Sequence, residues 1–206
     1  MTNSLHDTGY LELILGSMFS GKTSRLVEIY NQCKFCNIPV AVINHSIDNR
    51  YDEEQLSTHN QVKIPCIKTE KLFDVWTDDI SLEDNIEIIP RIADKFKIAR
   101  SSVILINEGQ FFNDLFDFVN KLLKEGKKVY VCGLDGDFER KKFGSILDLI
   151  PLCDKVNKLS SLCSICKNGT PGIFSMRLTS EKTQTVVGSD NYIPVCRSCY
   201  TKNKAV

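Results

Sequence analysis

The sequence predicts an α/β fold: a parallel sheet with helices on both faces, followed by a small cysteine-rich module. Three observations carry that prediction. Strand-like and helix-like patterns alternate from residue 10 to residue 153; a G-x-x-x-x-G-K-[ST] stretch joins the first strand to the first helix; and two C-x₂-C pairs fall beyond residue 158.

The elements follow in order. Residues 10–15 form a short apolar run closed by Gly16, the pattern of a buried strand. Leu26, Ile29 and Tyr30 recur at helical spacing, which predicts a helix from Lys22 to about Cys36. Residues 39–43 read as a second strand, the polar stretch 45–61 as a loop, and residues 70–100 as partly helical. Residues 103–106 are four consecutive apolar side chains, a strand buried on both faces. Residues 114–125 place Leu115, Phe116, Phe118, Val119, Leu122 and Leu123 on one broad helical face, which Gly126 closes. Residues 128–132 make a further strand. Short links between alternating strands and helices imply parallel pairing through right-handed crossovers. Past about Lys158 the pattern gives way to C-x₂-C pairs and glycines, so residues 1–158 are expected to form the sheet domain and 159–206 a separate small module.

The chain has 206 residues, with 26 Lys and Arg against 26 Asp and Glu, a formal charge of zero. Apolar residues make up 42% and charged residues 25%, which excludes wholesale disorder. Charge balance argues against a broad phosphate-backbone surface, so no nucleic-acid partner is expected. No apolar run approaches the roughly 20 residues needed to span a bilayer, so no membrane association is expected either. Residues 1–8 are polar and lack the pattern of a secretory signal, which makes the cytoplasm the expected compartment. Nine cysteines, about 4% of the chain, fall below a disulfide scaffold, and metal binding is the better use for paired ones.

Gly16, Ser17, Met18, Phe19, Ser20, Gly21, Lys22 and Thr23 form a phosphate loop in the strand-to-helix context that gives the motif meaning. The glycines let backbone N–H groups converge on phosphate oxygens at a helix N-terminus. Lys22 is expected to reach the terminal phosphates, and the Thr23 hydroxyl to help hold Mg²⁺. After the strand 103–106 come Asn107, Glu108, Gly109, Gln110, Phe111 and Phe112. A strand end near a phosphate loop is where a proton acceptor belongs, so Glu108 is the candidate acid/base. Phe111 and Phe112 suit a wall on which a flat base stacks.

Cys163-x₂-Cys166 and Cys196-x₂-Cys199, 29 residues apart, have the spacing of a tetrahedral four-thiolate Zn²⁺ site with a structural role. Cys33 and Cys36 share the spacing but lie late in a predicted helix without a partner pair, so they read as packing residues or free thiols. Cys66, Cys132 and Cys153 read as small buried apolar groups.

Taken together these stretches resemble the type II thymidine kinases, the family of the cytosolic and poxviral enzymes. The likeness rests on residues 16–23, Asp48-Asn-Arg-Tyr51, Glu108-Gly-Gln-Phe-Phe112, the run Gly133-Leu-Asp-Gly-Asp-Phe-Glu-Arg-Lys-Lys-Phe-Gly144, and the cysteine module with Tyr192 before its second pair. The resemblance implies a RecA-like sheet and transfer of the γ-phosphoryl of ATP to the 5′-hydroxyl of thymidine. It places Glu108 as catalytic acid/base and Asp48, Asn107 and Gln110 with the phosphate loop; Arg50 and Arg140 are further candidates for phosphate contact. Met18, Phe111, Leu134 and Phe138 would line the nucleoside pocket. A loop including Gln184, Thr185, Val186, Val187 and Gly188 would cover the base, with Tyr192 near the sugar. The resemblance also implies a homotetramer, with feedback inhibition by dTTP as a plausible extension. One position departs: the family generally has Asp where this chain has Asn107. A neutral carbonyl gives Mg²⁺ less than a carboxylate does, so a higher Mg²⁺ requirement is expected. The competing classes are a nucleic-acid-binding ATPase built from a phosphate loop and a zinc ribbon, and a relative without turnover. Arg197, Lys202 and Lys204 are too few for the basic surface the first needs, and Glu108 argues against the second.

Overall fold

The computed structural model describes residues 8–48, 55–57, 62–78, 90–186 and 188–203. The first strand, β1 (Tyr10–Gly16), runs through the phosphate loop into α1 (Lys22–Phe35), and β2 (Val40–His45) follows. Residues 45–61, expected to be a loop, contain β3 (Gln55–Ser57), which pairs antiparallel with β4 (Lys63–Pro65). Leu56 and Ile64 are buried in that hairpin. Three-residue strands are too short for their alternation to register in the sequence. Then come β5 (Ile67–Thr69), a 3₁₀ turn at Leu72–Val75, and α2 (Pro90–Arg100). Helix therefore occupies only parts of the segment 70–100, whose residues 79–89 lie outside the described ones. The domain continues with β6 (Val103–Ile106), a 3₁₀ turn at Gly109–Phe111, α3 (Leu115–Lys124), β7 (Lys128–Gly133), a 3₁₀ segment at Ile146–Leu152, and β8 (Lys155–Leu159).

Six strands form one sheet in the order β5-β2-β6-β7-β1-β8, and every pairing is parallel. Strand alternation sorts the side chains into two cores. Leu11, Leu13, Ala41, Ile43, Ile104, Ile106, Val129 and Val131 pack on one face with Ile98 of α2 and with Leu115, Phe118, Val119 and Leu122 of α3. Ile14, Val42, Val103, Leu105 and Cys132 face the other way and meet Leu26, Val27, Ile29 and Cys33 of α1. Strands covered on both sides read as unbroken apolar runs, which is why the central ones were legible. Each fully buried Leu or Ile contributes about 1.5–3 kcal/mol. The edge strand β8 carries Lys155, Asn157 and Lys158, and its polar composition hides it in the sequence.

Beyond the sheet, β9 (Ser161–Leu162) pairs with β10 (Pro171–Gly172), and β11 (Phe174–Arg177) with β12 (Tyr192–Val195); α4 (Arg197–Asn203) follows. Cys163, Val195, Cys196, Cys199 and Tyr200 form their own small core with Phe174, Met176 and Ile193 against it. Tyr200 donates its hydroxyl to the Phe138 carbonyl at 2.5 Å, and the Arg140 guanidinium lies 4.5 Å from the Tyr200 ring centre. These contacts fasten the module to the loop that follows β7.

Because the strands are parallel, the loops after β1, β2, β6 and β7 all emerge at one edge of the sheet. That edge is where an α/β sheet binds ligands.

Candidate active site

The phosphate loop leaves β1 at Gly16, whose φ is 150°. A Cβ there would lie 2.3 Å from the Leu159 carbonyl oxygen, so the turn closes against β8 only without a side chain. Gly21, at φ 85°, is the N-cap of α1 and brings no side chain to occupy the first-turn N–H groups. The helix end thus brings its first-turn N–H groups and their positive potential to the site, as an anion site needs. Lys22 is buried, and its Nζ donates to the Ser17 carbonyl at 2.6 Å, which curls the ammonium inside the loop. The loop is also tied to the cysteine module. Ser17 Oγ donates to the Gly172 carbonyl at 2.7 Å, and the Met18 N–H donates to Ser175 Oγ at 2.9 Å.

Glu108 follows β6 in the left-handed region, at φ 54° and ψ 42°. That turn aims it away from its buried neighbour Asn107 and into the crevice. Gln110 Nε2 donates to Glu108 Oε2 at 2.6 Å, while Gln110 Oε1 accepts from the Leu134 N–H at 3.0 Å. The carboxylate is therefore positioned by a buried amide anchored on the end of β7. Gly133 leaves room for this: a Cβ there would come 2.3 Å from Gln110 Oε1.

Asn107 is 1% exposed and lines no part of the crevice. Its Nδ2 donates to Asn44 Oδ1 at 2.9 Å, and its Oδ1 accepts from the Cys132 thiol at 2.9 Å. Asn44 Nδ2 in turn donates to Asp48 Oδ2 at 3.3 Å. The direction of the chain is fixed at its end, because a carboxylate only accepts. Burial, with the Glu108 charge adding to it, pushes the Cys132 thiol up to about 12, so it stays protonated and able to donate. His45 packs against Phe112 and Phe111, with ring centres 4.7 and 5.6 Å apart, and its Nδ1 accepts from the Ile47 N–H at 3.1 Å. Burial holds its pKa below the ordinary value, so the neutral ring fixes the turn that carries Asp48.

One crevice of about 1070 Å³, open mouth included, gathers these groups. Met18, Phe19, Ser20, Gly21, Lys22, Thr23, Asp48, Glu108 and Gln110 line it, together with Phe111, Leu134, Phe138, Gln184, Thr185, Val186, Gly188 and Tyr192. Gly16 and Ser17 do not line it, and Arg50 and Val187 lie outside the described residues. Phe112, expected as a wall, is instead 1% exposed in the sheet core. The wall is Phe111 with Phe143, edge to face at 5.3 Å. Cys153, expected to be buried, is only half-buried.

The sequence reading missed Ser24, Ile47, Gly136, Asp137, Phe143 and Ser175, which also line the crevice. Asp137 is the most telling. Its Oδ1 accepts the Glu139 and Lys141 N–H groups at 2.9 Å each, and its Oδ2 accepts from Gln184 Nε2 at 2.8 Å. The bond from Glu139, two residues on, is an aspartate turn signature and the bond from Lys141 is also local; the third is not.

The sulfurs of Cys163, Cys166, Cys196 and Cys199 lie within 4.8 Å of one another, with Cys166 Sγ 3.7 Å from Cys196 Sγ and 3.3 Å from Cys199 Sγ. Tetrahedral zinc with bonds of about 2.3 Å spaces its sulfurs about 3.8 Å apart, so the set fits that ion. The Cys166 and Cys199 N–H groups each donate to the first sulfur of their own pair at 3.4 Å, which steadies the thiolates.

Comparison with known proteins agrees with this geometry. The profile of the thymidine kinase family matches residues 9–200. A thymidine kinase of Choristoneura fumiferana entomopoxvirus is 38% identical over 95% of this chain and 98% of its own. One of Oryza sativa subsp. japonica is 38% identical over 96% and 68%, respectively, and one of Variola virus 39% identical over 93% and 97%. With a phosphate loop, a strand-end glutamate and a four-cysteine module on a parallel sheet, and a family match over nearly its whole length, the chain belongs to the thymidine kinase family.

Proposed function

We propose that this enzyme transfers the γ-phosphoryl group of ATP to the 5′-hydroxyl of thymidine, with Glu108 accepting the hydroxyl proton. Thymidine phosphorylation follows from the family; the division of labour among residues is our reading. The observation that carries it is that Glu108 and the phosphate loop line the same crevice. Phosphoryl transfer needs little covalent help from protein, so positioning and charge dominate. The first-turn N–H groups of α1 and Lys22 would hold the donor's phosphates. Glu108, steadied by Gln110, would orient the acceptor alcohol in line with the phosphorus. Phe111, Phe138, Leu134 and Met18 would pack around the base, and the loop with Gln184, Thr185, Val186 and Gly188 would exclude water. Mg²⁺ when bound neutralises phosphate charge; Thr23 and Asp48 are the groups here suited to its water shell.

The cysteine module would hold Zn²⁺ in a purely structural role, since four protein thiolates leave no open position. We divide the chain functionally at 158/159, with donor binding before it and nucleoside covering after. Among the described residues no helix is long and apolar enough to cross a membrane. Reduced cysteines and ATP suit the cytoplasm. A homotetramer inhibited by dTTP completes the reading, on the family likeness alone.

The test is product identity. Thymidine and ATP should give the 5′-monophosphate and ADP in equal amounts, and thymidine lacking the 5′-hydroxyl should give none. Phosphate appearing on another position, or ATP consumed without nucleotide product, would refute the proposal.

A further inference from the structure

We propose that Arg177 is the positioning residue for the loop that covers the nucleoside, and so sets affinity for the acceptor rather than the donor. The inference rests on the reading above, that Gln184, Thr185, Val186 and Gly188 lie over the base.

Arg177 ends β11 and stands directly opposite Tyr192, the first residue of β12, so the pair forms the neck of the loop between them. Just beyond it the Leu178 N–H closes the neck by donating to the Asn191 carbonyl at 2.9 Å. Arg177 is 9% exposed, deep for an arginine at the base of a surface loop. All five of its guanidinium N–H donors have acceptors. Nη1 donates to the carbonyls of Glu181 and Thr183 at 2.8 and 2.6 Å. Nη2 donates to the Gln184 carbonyl at 2.9 Å and to the Tyr192 hydroxyl at 2.5 Å, and Nε donates to the same hydroxyl at 3.1 Å. Tyr192 passes the chain on, donating to the Val186 carbonyl at 3.3 Å. Four loop carbonyls are thereby drawn toward one side chain, directly or through the phenol. The guanidinium also lies 3.7 Å from the ring centre of Phe138, which lines the crevice.

The chemistry is specific to arginine. A planar fork with five fixed donors can serve three carbonyls and a phenol at once, whereas a lysine offers three donors from a single point. Without these donors the loop carbonyls, which belong to exposed residues, turn to water, and nothing then gathers them at the neck. None of these contacts reaches the phosphate loop, so the donor's site should not feel the change.

The experiment is steady-state kinetics on the full chain, comparing wild type with Arg177→Lys, Arg177→Ala and Tyr192→Phe, with zinc content measured on each. In both Arg177 variants the KM for thymidine should rise about tenfold or more, the size expected from losing charge-assisted hydrogen bonds. The KM for ATP and the zinc content should stay as in wild type, and kcat should move far less than the thymidine KM. Tyr192→Phe, which keeps the ring but removes the acceptor, should raise the thymidine KM by a smaller factor in the same direction. An unchanged thymidine KM in Arg177→Ala, or a parallel rise for both substrates, overturns the role given to Arg177. A wild type that does not phosphorylate thymidine overturns instead the reading of the site on which it rests.

Discussion

Asn107 carries no charge, and its surroundings explain why a neutral side chain suits the position. From the sequence it stands beside Glu108 and looks like a weakened metal-site residue. In the fold it faces inward, with its carboxamide engaged by Asn44 and Cys132, while the left-handed turn at Glu108 sends the next side chain outward. Sequence adjacency says nothing about which of two neighbours is buried, so the candidate acid/base was legible and the depth of its neighbour was not. The consequence reverses the sign of an expectation. A carboxylate at 107 would face the Asn44 Oδ1, and Asn44 could restore that contact only by withdrawing its donor from Asp48. Asn107→Asp should therefore raise the Mg²⁺ midpoint for activity. It should also lower the thermal midpoint measured without Mg²⁺, with about 1–3 kcal/mol lost from the buried site. A lower Mg²⁺ midpoint with an unchanged melt would restore the simpler view that residue 107 serves the ion.

The two C-x₂-C pairs bring four sulfurs together beside the strands β11 and β12. Cys196 follows β12 directly, β12 pairs with β11, and the two strands hold the neck of the covering loop. The module reaches the phosphate loop as well, through Gly172 and Ser175. Its own core is small, so the metal should supply much of its folding energy. The sheet carries two larger cores that do not include Cys163, Cys166, Cys196 or Cys199. Stripping zinc with a chelator and then restoring Mg²⁺ should accordingly leave thymidine turnover abolished while far-UV circular dichroism keeps most of its helical signal. Full activity in a zinc-free protein would show that the module holds its shape without the ion. Legibility among elements tracks burial. The strands covered on both faces announce themselves as apolar runs, and α3 does so by its apolar face. The edge strand β8 and the hairpin of β3 and β4 do not, being polar or only three residues long. The cysteine spacing was legible because it is the spacing of a tetrahedral thiolate set; the contacts of Arg177 were not, because most of its partners are carbonyls, which every residue has.

At the scale of the molecule, parallel pairing is the decisive property. It brings residues 16–23, 48, 108 and 134 to one edge of the sheet although they are spread over more than half the chain, and the cysteine module then roofs that edge. Net charge is zero, so affinity for polyanionic phosphate must come from local donors rather than a general field. The central claim is that one crevice serves both reactants, with Glu108 acting on the acceptor and the phosphate loop on the donor. The most direct measurement is turnover of Glu108→Gln alongside its ATP affinity by calorimetry. Glutamine keeps the shape and cannot take a proton, so thymidine turnover should fall about 10²–10⁴-fold while the Kd for ATP stays that of wild type. Turnover within a few-fold of wild type would contradict the account.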